Sequence, residues 1–153
     1  MTKKLSLIIP AKNEVESLEA VLLEVKDNNL IGEIIVIVDD KFDNSVPIAK
    51  KFNCKLVVQK SNGYGSAIIE GFKNSKFEFG CIFNADHSFD PKYLDKMVNE
   101  TDKNDFVFGT RYNQDSGSDD DTIVTFTGNK IFSFIGNKIL KIRLTDILFT
   151  YVL

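Results

Sequence analysis

At residues 79–88 the chain reads FGCIFNADHS, an apolar run that ends abruptly in two short polar side chains, Asn84 and Asp86. A short apolar run bounded by polar residues is typical of a strand that is buried on both faces of a sheet. Ligands of open α/β sheets bind outside the carboxyl ends of the strands. We therefore expect Asn84 and Asp86 to lie where a metal ion or a phosphate group binds.

The rest of the chain alternates predicted strands with predicted helices around this run. Apolar runs predict strands at residues 5–9, 33–38, 54–58, 79–83 and 105–108. Apolar residues at helical spacing predict helices at about residues 15–25, 45–52, 64–74, 91–98 and 122–141. This alternation indicates an α/β fold, a Rossmann-like three-layer α/β/α sandwich with a mostly parallel central sheet.

The chain shows no internal repeat and no domain boundary, so residues 1–153 are expected to form a single domain. The segment FTYVL at residues 149–153 ends the chain without a closing polar stretch. This apolar finish predicts that the natural protein continues beyond Leu153.

The composition of the chain indicates its cellular compartment and disfavours some classes of binding partner. The net charge of −3 and the pI of about 5.2 disfavour nucleic acid and an anionic membrane as bulk partners. Cys54 and Cys81 lie far apart in sequence, which predicts buried thiols in a reducing compartment rather than a disulfide or a metal pair.

The sequence has no secretory signal, and no apolar run approaches the roughly 18 residues of a membrane span. We therefore expect a cytoplasmic protein without a transmembrane segment. The most apolar region, residues 131–153, is interrupted by charged side chains and predicts a buried or an interfacial helix.

Polar residues follow four of the predicted strands, at residues 10–14, 39–40, 84–86 and 109–111. In a doubly wound fold these strand ends share one edge of the sheet. Three of the four groups supply carboxylates, which suit a hard divalent ion such as Mg²⁺ or Mn²⁺. The fourth supplies Arg111, which suits bidentate contact with phosphate. Together these groups favour a nucleotide diphosphate bound with a metal ion.

Each of these features also has a purely structural interpretation. Asp39-Asp40 is also typical of a solvated turn, and Asn84 and Asp86 are typical turn formers. Arg111 is equally compatible with a surface ion pair, and Glu14 with a favourable place in the first turn of a helix. Gly63-Tyr64-Gly65 fits a tight turn, or a place where substrate passes close to the backbone. His87 is the only histidine, which excludes a zinc site built on two histidines, and it is expected to be structural.

The motifs together, in this order and spacing, resemble family 2 glycosyltransferases over essentially the whole chain. The segments that carry the resemblance are LSLIIPAKNE at 5–14, IVDD at 37–40, GYGSA at 63–67, NAD at 84–86 and GTRY at 109–112. The branch with dolichyl- or polyprenyl-phosphate sugar transferases is the most similar. The resemblance implies a GT-A fold and an inverting transfer from a UDP- or GDP-linked sugar. It also implies a divalent metal, and a glycan or lipid-phosphate acceptor that would bring the protein to the cytoplasmic face of a membrane.

The resemblance also implies roles for individual residues. Pro10, Ala11, Glu14 and Gly63 would line the nucleotide-sugar site, and Asp39 or Asp40 would contact the base or the ribose. Asp86 would hold the metal, with Asn84 and Ser88 at the flanking positions of the motif. Arg111 would contact a phosphate of the donor or of a lipid-phosphate acceptor. Asp86 and Arg111 are therefore the predicted catalytic residues, because the metal and the guanidinium would both stabilise the departing diphosphate.

The chain departs from the family pattern at three places. Asn84 stands where the family usually has the first aspartate of Asp-x-Asp, the pattern after Asp39-Asp40 is altered, and an expected arginine is absent from residues 145–151. The sequence identifies no general base beyond the acidic run at Asp119, Asp120 and Asp121, which is more typical of a solvated loop. These departures leave a non-catalytic nucleotide-sugar-binding module as the alternative function. A phospho-acceptor receiver, suggested by Asp39-Asp40 alone, is a third hypothesis.

Overall fold

The computed structural model describes residues 3–111 and 123–153. The strands of the sheet are β1 (Leu5–Pro10), β2 (Ile31–Val38), β3 (Lys55–Val58) and β4 (Phe79–Ile82). The helices are α1 (Val15–Val25), α2 (Val46–Lys51), α3 (Tyr64–Lys73), α4 (Leu94–Glu100) and α5 (Ile123–Leu140), and a 3-10 turn at Pro91–Tyr93 leads into α4. None of the described helices is both long and apolar enough to cross a membrane.

The four strands form a parallel sheet in the order β3-β2-β1-β4. β1 is central, and its Ile8 lies beside Ile35 of β2 on one side and Ile82 of β4 on the other. The chain therefore winds outward from β1 to β3 and then returns to place β4 on the opposite side of β1. This reversal is a topological switch point, which leaves a crevice between the carboxyl ends of β1 and β4.

Both faces of the sheet are covered, which confirms the predicted three-layer sandwich. Leu7 and Ile9 of β1 belong to the large apolar core that α1 covers, whereas Ile8 faces the other side with Ile37 and Ala67. This alternation follows from the period of two in a strand, and it explains why the strands read as continuous apolar runs. On the second face α3 lies so close to the sheet that a Cβ at Gly71 would come within 2.3 Å of Ile8 Cγ2.

The prediction of a fifth strand at residues 105–108 is wrong. In this segment only Phe108 forms a bridge, an antiparallel one to Val152. The amide and the carbonyl of Val107 both bond to Leu153, and Val152 also bridges to Ile82 at the end of β4. The chain end thus lies between β4 and residues 107–109 and takes the hydrogen bonds that a fifth parallel strand would have made with β4.

Both cysteines are free thiols, as the sequence predicts. Cys81 of β4 is buried and Cys54, just before β3, is half-buried. Burial raises the pKa of the Cys54 thiol to about 11 and raises the pKa of the Cys81 thiol further. Both side chains are therefore neutral near pH 7.

Candidate functional site

A cleft of about 440 Å³ opens at the carboxyl edge of the sheet, at the switch point between β1 and β4. Its walls come from the segments that follow β1, β2, β3 and β4, and from Thr150 near the chain end. The predicted site residues among its lining are Pro10, Ala11, Glu14, Asp39, Gly63, Asn84 and Asp86. The structure therefore gathers most of the predicted residues in one cleft, and their binding roles remain predictions.

Asn84 and Asp86 are held in a small hydrogen-bonded turn at the end of β4. The Asn84 side-chain amide donates to Ser88 Oγ at 3.1 Å, and Asp86 Oδ1 accepts from the Ser88 backbone N–H at 3.0 Å. This is the local bonding by which aspartate side chains form turns. Both residues line the cleft, so the structural interpretation is compatible with the ligand-binding one, which stays a prediction. Ser88 braces this turn and is not part of the cleft lining.

Tyr64, for which the sequence motifs predict no role of its own, contacts this turn. Its hydroxyl donates to Asn84 Oδ1 at 2.9 Å and lies 3.2 Å from Thr150 Oγ1. Burial is the main cause that raises the pKa of Tyr64, the negative charge of Asp86 adds to it, and the hydrogen bond with Thr150 opposes it. The hydroxyl is therefore protonated at neutral pH and able to donate to Asn84. An aromatic side chain between two glycines at the start of a helix was the only sequence signal.

Lys12 brings a positive charge to the cleft, and it too was missed from sequence. Its Nζ lies 2.7 Å from Asp39 Oδ2, and this hydrogen bond and charge raise the pKa of Lys12. Among the described residues that line the cleft, Lys12 is the only one with a basic side chain. The Lys12–Asp39 pair therefore offers an incoming ligand both a cation and a carboxylate.

Asp43 and Ser45 hold the loop that carries Lys12 and Glu14. The buried Asp43 carboxylate accepts the backbone N–H of Asn13, at 3.0 and 3.1 Å to its two oxygens, and that of Ser45 at 2.7 Å. Ser45 Oγ in turn accepts the Glu14 N–H at 2.9 Å. Asn13 has a φ of 56°, a left-handed conformation that few residues besides glycine adopt readily. The two loops after β1 and β2 are thus tied together by buried side chains.

Asp40 lies outside the cleft lining, and so does His87. Asp40 Oδ1 accepts the N–H of Phe42 at 2.8 Å, which is the turn that its structural interpretation predicted. His87 has a φ of 63°, and its Nδ1 lies 3.4 Å from Glu24 Oε1.

Arg111 also lies outside the cleft lining and forms a two-pronged ion pair with Asp146. Its Nε donates to Oδ2 at 2.8 Å and its Nη2 donates to Oδ1 at 3.2 Å, and the Asp146 side chain is fully buried. The guanidinium carbon also lies 5.2 Å from the ring centre of Phe149. Residues 112–122 lie outside the described residues, and with them Tyr112 of the GTRY motif and the candidate bases Asp119, Asp120 and Asp121.

The cleft offers a divalent ion few protein ligands. Within residues 3–111 and 123–153, no three histidine, cysteine, aspartate or glutamate side chains cluster closely enough to hold a metal alone. Mg²⁺ is commonly held by one or two carboxylates together with substrate phosphates and water. Asp86 as the carboxylate fits such a shared site. The amide oxygen of Asn84 accepts from the Tyr64 hydroxyl and has a second lone pair, with which it could join Asp86 as a ligand.

Comparison with known proteins identifies the family of this chain and other proteins with its fold. The sequence matches the model of the family described as "Glycosyl transferase family 2" over residues 6–153. It is 35% identical over 119 residues to a dolichol-phosphate mannosyltransferase of Pyrococcus furiosus, a match that covers 71% of this chain and 33% of that protein. The chain therefore spans about a third of the length of this relative.

Solved structures share the fold at low sequence identity. A glucosyl-3-phosphoglycerate synthase from Mycobacterium tuberculosis in complex with UDP superposes with a TM-score of 0.71 at 14% identity, over 98% of this chain and 56% of that chain. A second structure of that synthase, with Mn²⁺, UDP and glucosyl-3-phosphoglycerate, gives 0.57 at 18% identity, over 67% of this chain and 41% of that chain. At such identities the likeness shows the fold alone.

Proposed function

The chain belongs to glycosyl transferase family 2 and has the GT-A fold, and from this premise we propose that it takes part in an inverting sugar transfer. The donor would be a UDP- or GDP-linked sugar, and the acceptor a polyprenyl phosphate or another glycan acceptor. The observation that carries the proposal is the cleft at the switch point, where Asp39, Lys12 and Asp86 lie together. Family membership also overturns the hypothesis of a phospho-acceptor receiver.

The nucleotide would lie over the loops that follow β1 and β2. Pro10, Ala11 and Glu14 form one wall of the cleft, and Asp39 would accept hydrogen bonds from the ribose or the base. Gly63 has a φ of 112° and nothing within 4 Å of the position of a Cβ, so the backbone is open to a ligand there. The Pyrococcus furiosus relative, named as a mannosyltransferase, supports a sugar as the transferred group.

The diphosphate would lie toward β4. A Mg²⁺ or Mn²⁺ ion held by Asp86, with Asn84 beside it, would neutralise the charge that develops on the departing diphosphate. Lys12 supplies a protein cation in the same cleft and would add to this neutralisation. Support for a metal comes from the synthase of the same fold, whose structure contains Mn²⁺ with UDP.

Arg111 would contact a phosphate of the donor or of a lipid-phosphate acceptor. Its Nε and Nη2 both donate to the buried carboxylate of Asp146, which fixes the plane of the guanidinium. In this proposal Asp146 orients Arg111 for that contact. A phosphate acceptor is already anionic and needs no general base, which agrees with the lack of a confident base in the sequence.

One contact favours the alternative, a nucleotide-sugar-binding module without turnover. The Tyr64 hydroxyl takes one lone pair of the Asn84 amide oxygen, and the amide carries no negative charge to attract a metal. The metal would then keep a single carboxylate, that of Asp86, and the diphosphate would leave less readily.

Release of nucleoside diphosphate separates the two functions. The chain would be incubated with Mn²⁺, a UDP- or GDP-linked sugar and a short-chain polyprenyl phosphate, and free UDP or GDP measured over time. A transferase releases the diphosphate faster when the acceptor is present, and Asp86→Asn abolishes that increase. Tight donor binding with no acceptor-dependent release would instead assign the binding module.

A further inference from the structure

Tyr64 connects three parts of the chain at one point of the cleft. It is the first residue of α3, and its hydroxyl donates at 2.9 Å to Asn84 Oδ1 in the turn after β4. Thr150 Oγ1, near the chain end, lies 3.2 Å from the same hydroxyl. All three residues line the cleft. Tyr64 is 45% exposed, so filling the apolar core does not account for its position.

The side-chain amide of Asn84 has two unlike ends, and only one of them can bind a cation. The oxygen is an acceptor with two lone pairs, whereas the NH₂ group only donates. Turning the amide by half a rotation exchanges the two ends. The orientation of this amide therefore decides whether Asn84 can join Asp86 in holding a divalent ion.

In the structure both ends of the amide are hydrogen-bonded, and they point to different surroundings. The oxygen end accepts from Tyr64, which lines the cleft. The NH₂ end donates at 3.1 Å to Ser88 Oγ, which is outside the cleft lining. The hydrogen bonds thus keep the oxygen of Asn84 on the side of the cleft and turn its NH₂ group away.

The chemistry of the two hydroxyl groups favours this orientation over the reverse. A phenol is more acidic than an alcohol and is therefore the better donor, whereas the alcohol oxygen of Ser88 is the better acceptor. Exchanging the ends of the amide would pair its oxygen with the weaker donor and its NH₂ group with the weaker acceptor. Thr150 supports the observed arrangement, because its hydroxyl can donate to the Tyr64 oxygen while the Tyr64 proton goes to Asn84.

We propose that Tyr64 is a positioning residue of the cleft, whose hydroxyl holds the Asn84 amide in the orientation that can bind a divalent cation together with Asp86. Partners that orient a ligating side chain commonly govern how tightly a metal is held. In the binding-module alternative the same hydrogen bond only withholds a lone pair, whereas here it also selects the end of the amide that can ligate. This inference rests on the function proposed above for the cleft.

The affinity for Mn²⁺ alone tests this role without any turnover. The chain would be titrated with Mn²⁺, and free Mn²⁺ would be measured by electron paramagnetic resonance. Tyr64→Phe is expected to weaken binding about tenfold, because the amide is then free to turn. Tyr93→Phe is the matched control and is expected to leave binding unchanged, since Tyr93 is 37% exposed and outside the cleft lining. Circular dichroism and urea denaturation establish that each variant folds.

An Asn84→Asp background separates orientation of the amide from a merely structural role of Tyr64. A carboxylate has two like oxygens, so it has no wrong end to present. Tyr64→Phe is therefore expected to change the Mn²⁺ affinity of Asn84→Asp by less than about twofold. If Tyr64 only supported the shape of the cleft, its loss would weaken binding by the same factor in both backgrounds.

Asp86→Asn distinguishes failure of this inference from failure of the function proposed for the cleft. The positioning role of Tyr64 is overturned if Tyr64→Phe binds Mn²⁺ as the parent does, or if it weakens binding equally in both backgrounds. It falls alone if Asp86→Asn nevertheless binds Mn²⁺ more weakly than the parent. If Asp86→Asn also binds like the parent, or the parent binds no Mn²⁺, the metal site proposed for the cleft is overturned with it.

Discussion

The hydroxyl of Tyr64 donates a hydrogen bond to the amide oxygen of Asn84 at 2.9 Å, inside the cleft at the carboxyl edge of the sheet. This oxygen is the atom through which Asn84 would ligate a metal. The two residues are 20 positions apart in sequence, one at the start of α3 and the other just after β4. Metal binding by Asn84 would therefore use the second lone pair of an oxygen that already accepts a hydrogen bond from the protein.

Asn84→Asp is expected to strengthen Mn²⁺ binding by about tenfold, because a second carboxylate adds charge beside Asp86. The measurement is a calorimetric titration of the chain with Mn²⁺. Asn62→Asp is the matched control, since it adds the same charge elsewhere in the cleft lining. Equal Mn²⁺ affinities in the parent and in Asn84→Asp would count against a metal at this turn.

Asp43→Asn is expected to lower the free energy of unfolding by about 2 kcal/mol, because it removes a buried negative charge that accepts two backbone N–H groups. Urea denaturation measures the loss. Asp40→Asn is the matched control: Asp40 is exposed and accepts one N–H in the same loop, so its change should cost under about 1 kcal/mol. Similar losses in the two variants would show that Asp43 does not hold the loop of Lys12 and Glu14.

Arg111→Gln is expected to destabilise the fold by about 3 kcal/mol, because it leaves the buried Asp146 carboxylate without its partner. The double variant Arg111→Gln/Asp146→Asn should recover part of this loss, since it also removes the buried charge. The free energies of unfolding of the parent, both single variants and the double variant, measured by chemical denaturation, complete a double-mutant cycle. Additive losses would show that the ion pair contributes nothing to stability.

The pKa of Cys54, raised from 9.0 to about 11, predicts a dependence of stability on pH. The folded state binds the thiol proton more tightly than the unfolded state, so the contribution is fully present below pH 9 and is lost between about pH 9 and 11. Urea midpoints of the parent and of Cys54→Ala, measured from pH 7 to 11, isolate this contribution. The parent should lose more stability than the variant over that range, and parallel curves would contradict the cause given for the shift.

The parallel strands were predictable from sequence because each contains a short apolar run, and in β1 and the last half of β2 nearly every residue of the run is buried. The structure of residues 105–108 was not predictable in this way, because the segment pairs with the chain end at residues 151–153. No local sequence pattern indicates a pairing between segments so far apart in the chain. The same limit applies to Asp43. In sequence it is one more acid in a polar loop, and only the fold brings its carboxylate to the N–H of Asn13.

The cleft was predictable for the residues that directly follow strands, because parallel strands bring their carboxyl ends to one edge. Tyr64 and Lys12 were missed because their roles depend on contacts between separate loops.

Binding of a nucleotide sugar with and without Mn²⁺, followed by calorimetry, tests the central claim most directly. The chain is expected to bind a UDP- or GDP-linked sugar in the presence of Mn²⁺, and Asp86→Asn to weaken that binding at least about tenfold while leaving the urea midpoint unchanged. Failure to bind any nucleotide sugar, or equal metal-dependent binding by Asp86→Asn, would contradict the assignment of this cleft.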